Sequence, residues 1–245
     1  MEWRGEGIVL EMRPHGESGA VLEVFTESRG RHAGLVHGGQ SRRMRPVLQP
    51  GNRVALEWHG RLENQLGRFA VEPLENVAAR LMDDALALAA LQSLTGLLLF
   101  TLPERQPHAG LYRRSLGVIG AMGRVAEWPQ LYLLWELALL EEMGFGLDLS
   151  RCAVTGRREG LTHVSPRTGR AVTREGAGNW TDRLLPLPPV LLGEPAAHLG
   201  EIAAGLEITG HFLLHHLAPA LGNRPLPPAR ERFVTRLVRA RDGGM

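Results

Sequence analysis

Five short segments with strand-like patterns follow one another in the first 76 residues of the chain. Residues 7–10, 21–25 and 33–36 are apolar runs separated by turn-forming residues. In the fourth segment Val54, Leu56 and Trp58 alternate with an alanine, a glutamate and a histidine, and Phe69 and Val71 alternate in the same way in the fifth. Alternation places every second side chain on one face, so each strand buries one face and exposes the other. Five such strands in succession predict a small closed β-barrel.

After residue 75 the chain becomes rich in Ala and Leu, which predicts helices. The pattern indicates helices over residues 80–102 and 108–125, and a third that opens at Trp128-Pro129 and ends near Gly144. Helical spacing returns near residue 196, and a last helix follows the prolines at 225, 227 and 228. We therefore expect an α+β chain with a barrel domain over residues 1–76 and a helical domain over residues 77–245.

The most apolar stretch, residues 85–102, contains Gln92, Ser93 and Thr95. A membrane span needs about 20 strongly apolar residues, so we interpret this stretch as a buried helix. The N-terminus leads directly into a strand-like run and not into the apolar core of a signal peptide. We expect a soluble, cytoplasmic protein with no membrane contact.

All 28 basic residues of the chain are Arg, and there is one cysteine, Cys152. Without Lys the chain has no phosphate loop of the Walker type and no amine for imine chemistry. One cysteine excludes an intramolecular disulfide and a four-thiolate metal site. Every cation here is a planar guanidinium, a group that binds phosphate in a bidentate manner.

A basic segment follows the third predicted strand. Residues 38–46 contain two glycines and a serine, followed by Arg42, Arg43 and Arg45. Glycines let backbone amides approach a phosphate, and guanidinium groups bind its oxygens. The segment is a candidate phosphate-binding loop, with a solvated hairpin tip as the alternative. Residues 1–76 hold ten Arg and ten acidic residues, so any positive field there must be local.

Residues 149–184 form a basic insert, with seven Arg against three acidic residues, and we expect it to be irregular. Cys152 and Thr155 have the spacing of a zinc knuckle, and Ser165 and Thr168 repeat that spacing. Hydroxyl groups are poor zinc ligands. The pattern therefore predicts a degenerate, metal-free zinc ribbon that keeps its turns, and two unrelated glycine turns are the alternative.

Glu207, His211 and His215 recur every four residues on a predicted helix. Such a face can bind a metal or transfer protons. No HExxH pattern or third metal ligand accompanies it, and no GxSxG nucleophile motif is present. We interpret the face as a polar stripe, and we predict no catalytic residue and no cofactor.

Seven short motifs occur in order along the chain. They are GIVL at residues 7–10, TESRGR at 26–31, GGQSRR at 38–43, LQPG at 48–51, YRR at 112–114, WELALL at 135–140 and GFGLDL at 144–149, just before Cys152. Together they cover essentially the whole chain and resemble the bacterial recombination-mediator family RecO. The resemblance implies an N-terminal OB-fold, a helical C-terminal domain and, in many members, a zinc ribbon. Only Cys152 matches a zinc-ligand position of the family, so the resemblance does not extend to zinc binding.

The resemblance also implies a function. Such a protein binds single- and double-stranded DNA, anneals complementary strands and helps load the RecA recombinase onto DNA coated by single-stranded DNA-binding protein. The implied partners are RecR and the acidic C-terminal tail of that coating protein, and the implied place of action is the nucleoid. The family's basic OB-fold surface maps onto a set of five residues, Arg29, Arg31, Arg42, Arg43 and Arg45.

Two other functions remain open. One is a scaffold that binds RecR and touches DNA only incidentally. The other is an enzyme that uses the face of Glu207, His211 and His215.

The composition of the barrel predicts how DNA would be bound. The barrel has few aromatic residues, and we expect most of them in the core. Binding should then depend on phosphate neutralisation, with little base preference and a steep salt dependence.

Overall fold

A computed structural model of the chain describes residues 1–62 and 65–242. By its internal contacts the chain divides into two compact units. The first consists of Met1–Arg124 with Pro227–Phe233, and the second consists of Val125–Leu226 with Val234–Met245.

The first unit contains a closed five-stranded barrel. Its strands are β1 (Glu2–His15), β2 (Gly19–Thr26), β3 (Gly30–Val36), β4 (Arg53–His59) and β5 (Arg68–Glu75). They are arranged in the order β1-β2-β3-β5-β4. The long strand β1 pairs with both β2 and β4, and a parallel contact between Leu35 and Arg68 joins β3 to β5. This is the OB-fold arrangement, so the predicted barrel and its fold are confirmed.

The predicted alternation also holds within the barrel. Val54, Leu56 and Trp58 are buried, whereas the residues between them are partly exposed. Gly34 lies against the ring of Phe69, so a side chain at position 34 would collide with that ring. The interior is therefore filled by side chains, and any DNA contact must lie on the outer surface or at an end of the barrel.

Three helices follow the barrel in the first unit: α1 (Val77–Arg80), α2 (Ala85–Thr101) and α3 (Ala109–Ala121). The helix expected over residues 80–102 is thus two helices, because Asp84 begins a new one. Its Oδ1 accepts hydrogen bonds from the backbone N–H groups of Leu86 at 3.1 Å and Ala87 at 2.9 Å. Most of α2 is buried, as expected for this stretch. No helix among the described residues is long and apolar enough to cross a membrane.

The cap on α2 supports a prediction about stability. Replacing Asp84 by alanine leaves two N–H groups of the first turn without their acceptor, so we expect the free energy of unfolding to fall by about 1 kcal/mol. Urea titration measures this change. The neighbouring Asp83→Ala is the matched control, because Asp83 is exposed and caps nothing. Equal losses in the two variants would contradict the assignment of the cap.

The second unit begins with α4 (Trp128–Glu142) and the insert. The insert is not irregular: β6 (Leu161–Val164), β7 (Ala171–Thr173) and β8 (Leu185–Pro186) form a sheet in the order β7-β6-β8. Helix α5 (Arg174–Ala177) and a 3₁₀ turn (Gly178–Arg183) lie between β7 and β8. Strands of two to four residues are too short to show periodicity, which explains why the sequence pattern missed this sheet.

The remaining helices are α6 (Leu199–Phe212), α7 (Ala218–Ala220) and α8 (Pro228–Asp242), with a π-helical turn over Leu213–Leu217 after α6. Helix α6 packs against α4. Gly205 allows this close approach, since a Cβ atom there would lie 2.5 Å from a methyl group of Leu133. At the same contact the Thr209 hydroxyl donates to Glu136 Oε2 at 2.5 Å. The helices that follow the barrel confirm the α+β class, with the first predicted helix divided at Asp84. The domain boundary at residue 76 stays a prediction.

Candidate nucleic-acid interface

The connection between β3 and β4 carries the basic segment. Residues 38–46 fold as hydrogen-bonded turns and not as an open loop. The side-chain amide of Gln40 donates to the backbone oxygens of Gly16 at 3.1 Å and Gly19 at 2.8 Å. Its backbone N–H donates to the oxygen of Ser18 at 3.1 Å. These bonds attach the start of the segment to the hairpin between β1 and β2.

The turn that follows places three guanidinium groups in solvent. The backbone oxygen of Ser41 accepts from the N–H groups of Met44 and Arg45, at 3.1 and 3.0 Å. Shortly afterwards Val47 and Leu48 enter the barrel core. The segment is thus fixed before and after the turn, and Arg42, Arg43 and Arg45 lie exposed between the two anchors. We call these three residues the arginine turn.

Asn52 holds the far end of the same connection. Its side chain is buried, and its Nδ2 donates to the backbone oxygens of Pro46 at 2.7 Å and Val47 at 3.1 Å. Its Oδ1 accepts from the backbone N–H of Ala78 at 3.0 Å. One amide therefore joins the two residues that follow the arginine turn to α1. The sequence pattern indicated only a turn here, because an asparagine after Pro-Gly is a common turn residue.

Several arginines of the barrel outside the arginine turn form ion pairs. Arg4 pairs with Glu57 at 3.1 Å, and Arg53 pairs with Glu6 at 2.8 Å. Within the described ranges no acidic side chain lies within ion-pair distance of the arginine turn. The arginine turn is thus a local cationic patch on a barrel with equal numbers of Arg and acidic residues. Arg61 and Arg68 are also exposed and form no ion pair with a described acidic residue.

The structure divides the five predicted DNA-binding residues into two groups. Arg29 and Arg31 lie at the start of β3, whereas the arginine turn follows its end, about 20 Å away along the strand. Arg31 is mostly buried and lies 3.5 Å from Glu23 and 3.7 Å from Glu104. Burial raises the pKa of the Glu23 carboxyl above its usual value, although Arg31 opposes that shift. The contribution of Arg29 and Arg31 to DNA binding stays a prediction.

The aromatic side chains of the barrel belong to its core. Phe25, Trp58 and Phe69 are buried, and Trp3 is half-buried. The ring of Trp3 stacks on Trp58, with centroids 6.3 Å apart. The described part of the barrel therefore presents no fully exposed aromatic side chain to a nucleobase.

The two knuckle turns of the insert are present and share one hydrogen-bond pattern. The backbone N–H of Thr155 donates to Cys152 Sγ at 3.3 Å, and that of Thr168 donates to Ser165 Oγ at 3.3 Å. Cys152 is buried, and the backbone N–H of Thr173 also donates to its Sγ at 3.3 Å. One thiol and three hydroxyl groups do not fit a structural zinc site. The metal-free ribbon stays a prediction, which metal analysis of the purified protein tests.

The same hydrogen bonds favour the thiolate of Cys152. Burial opposes ionisation, but the bonds from Thr155 and Thr173 outweigh it and lower the pKa of the thiol from 9.0 to about 6. Because the pKa is lower in the folded chain, ionisation stabilises the fold above pH 9, and this contribution is lost as the pH falls towards 6. We therefore expect the difference in free energy of unfolding between the natural chain and Cys152→Ser to increase, in favour of the natural chain, as the pH is raised from 6 to 9. Urea titrations across this range measure it, and parallel pH profiles for the two chains would contradict it.

The proposed polar stripe on α6 has a structural role. The Nε2 atoms of His211 and His216 lie 3.1 and 2.8 Å from the backbone oxygen of Pro166, within the second knuckle. The ring of His215 packs 4.6 Å from that of His211, and Glu207 is exposed. Burial lowers the pKa of His211 below its usual value. These contacts hold the second knuckle against the end of α6 and the π-helical turn that follows it.

A different group of side chains lies close enough together to hold a metal ion. Among the described residues it consists of Glu2, Glu57 and His59 on the barrel surface, with ligand atoms within 4.8 Å of one another. Arg4 already donates to Glu57, and His59 lies 3.4 Å from Glu2. We interpret this group as an exposed ion-pair network.

Comparison with known proteins covers nearly the whole chain. A family described as "Recombination protein O N terminal" matches residues 1–77, and "Recombination protein O C terminal" matches residues 82–225. The chain is 54% identical over 241 residues to the DNA repair protein RecO of Dinoroseobacter shibae, covering 98% of this chain and 100% of the relative. It is 55% identical over 240 residues to that of Cereibacter sphaeroides, with the same coverage. Identity to the RecO protein of Jannaschia sp. is 51% over 239 residues, 98% of this chain and 97% of that one.

Proposed function

This chain belongs to the RecO family of DNA repair proteins, and from that premise we propose that it is a recombination mediator that binds single- and double-stranded DNA and anneals complementary strands. In the same role it helps load the RecA recombinase onto DNA coated by single-stranded DNA-binding protein. The observation that carries the proposal is the arginine turn, three exposed guanidinium groups without acidic partners among the described residues. Family membership supports a role in DNA repair and recombination, and the arginine turn supports direct DNA contact.

The proposed mechanism is electrostatic. Guanidinium groups bind backbone phosphates in a bidentate manner and release the counterions condensed on DNA. Two complementary strands repel each other through those phosphates, so a chain that neutralises them lets the strands approach. Contacts to phosphates leave the base edges of a bound strand free to pair. No bond is made or broken and no nucleotide is hydrolysed, so the proposal needs no catalytic residue.

The proposed protein partners are RecR and the acidic C-terminal tail of the coating protein. The family resemblance supports both. The chain has no Lys, and the guanidinium group of Arg forms bidentate pairs with carboxylates such as those of an acidic tail. The place of action that follows is the bacterial nucleoid.

Annealing of bare complementary strands tests the proposal. Two dye-labelled strands are mixed with the purified full chain without nucleotide, and pairing is followed by energy transfer between the dyes. We expect the chain to accelerate pairing, and the acceleration to decrease as salt rises. A chain that binds RecR but accelerates no pairing would favour the scaffold function instead.

A further inference from the structure

Trp180 is an exposed aromatic side chain of the insert. It lies on the 3₁₀ turn Gly178–Arg183, with 61% of its surface open to solvent. The guanidinium carbon of Arg183 lies 5.0 Å from the centre of the indole ring, a cation–π distance. Gly178 has a φ of 46°, a conformation that glycine adopts without strain, and it begins this turn directly after α5. The turn thus presents an indole ring and a cation together.

The segment around Trp180 is packed and basic. Helix α5 lies against the first knuckle, since a Cβ atom at Gly176 would lie 3.2 Å from Val154 Cβ. Arg157 of that knuckle pairs with Glu175 of α5 at 2.8 Å. Arg158 and Arg174 are exposed beside these two residues, and neither has an acidic partner in the described part of the chain. The knuckle, α5 and the turn therefore carry more positive charge than their own acids neutralise.

We propose that Trp180 and Arg183 form a stacking contact for an unpaired nucleobase, and that Arg158 and Arg174 of the same insert bind backbone phosphate. Indole rings stack on bases of any sequence, and a neighbouring guanidinium strengthens the contact. The inference rests on the proposed function for its ligand, a single DNA strand. It adds a second strand contact, in a different compact unit from the arginine turn. One chain then contacts phosphates through both the barrel and the insert, and a base through the insert.

The test separates base stacking from phosphate binding. Affinities of the full chain are measured by fluorescence anisotropy for oligothymidylate and for an abasic oligonucleotide of the same length and charge. We expect the natural chain to bind oligothymidylate about tenfold more tightly than the abasic strand, the range expected for one stacked base. In Trp180→Ala this ratio falls towards one, while the affinity for the abasic strand and the salt dependence stay unchanged. Trp180→Phe keeps an aromatic ring and should retain most of the ratio.

Three further results distinguish failure of the stacking contact from failure of the proposed DNA-binding function. Alanine substitutions in the arginine turn should weaken binding of both oligonucleotides and leave their ratio intact. If Trp180→Ala keeps the natural ratio of affinities for oligothymidylate and the abasic strand, the stacking contact is overturned. If that variant also loses RecR binding, the turn is a surface that binds protein and not DNA. A natural chain that binds neither oligonucleotide would overturn the stacking contact together with the proposed DNA-binding function. Thermal unfolding followed by circular dichroism shows whether each variant is folded.

Discussion

Replacing Arg42, Arg43 and Arg45 together by alanine is expected to weaken binding of single-stranded DNA about 100-fold at about 0.1 M salt. Each phosphate neutralised on a single strand contributes about 0.7 to the slope of log affinity against log salt. Loss of three contacts should therefore lower that slope by about 2. Anisotropy titrations over a series of salt concentrations measure affinity and slope together.

Two control variants show whether charge at this position is the cause. Replacing the same three residues by lysine keeps the charges and should leave the slope unchanged. Arg4→Ala removes a guanidinium of the same barrel that is already paired with Glu57, so we expect less than about a twofold effect. An alanine triple variant with the natural slope would remove the arginine turn from the DNA site.

Replacing Asn52 by alanine is expected to lower the free energy of unfolding by about 3 kcal/mol. The buried amide makes three hydrogen bonds, and its loss leaves the backbone groups of Pro46, Val47 and Ala78 without these partners. Each such loss costs about 1 kcal/mol or more when the group is buried. Urea unfolding followed by tryptophan fluorescence measures the change.

A matched control for Asn52 lies three residues earlier. Gln49→Ala removes one exposed hydrogen bond, from Nε2 to the backbone oxygen of Arg45 at 2.9 Å, and should cost less than about 0.5 kcal/mol. Similar losses in the two variants would contradict the anchoring role of Asn52. At a temperature where Asn52→Ala is still folded, we expect weaker DNA binding than in the natural chain, because the arginine turn has lost an anchor.

The barrel could be predicted from the sequence because its strands alternate over several residues. Val54, Leu56 and Trp58 indicate a buried face without any knowledge of their neighbours in space. The start of α2 depends on one side chain, Asp84. The sequence pattern did not take its capping hydrogen bonds into account. The sheet of the insert has strands too short to leave a periodic signal.

The candidate site could be predicted only in part. The arginine turn is contiguous in sequence, so its charge is evident before any fold is known. The different surroundings of Arg31 are not evident, because its partners Glu23 and Glu104 come together only through the fold. Asn52 and Trp180 were missed for the same reason, since burial of an amide and exposure of an indole are tertiary properties. A Trp within a basic segment was the signal available for Trp180.

The most direct test of the mediator function is annealing of complementary strands that are both coated by single-stranded DNA-binding protein. The proposed function predicts that the full chain pairs these coated strands without nucleotide. It also predicts that alanine at Arg42, Arg43 and Arg45 abolishes this pairing, while lysine at the same positions retains it. Coated strands that stay unpaired with the natural chain, or that pair equally fast with the alanine variant, would contradict the account.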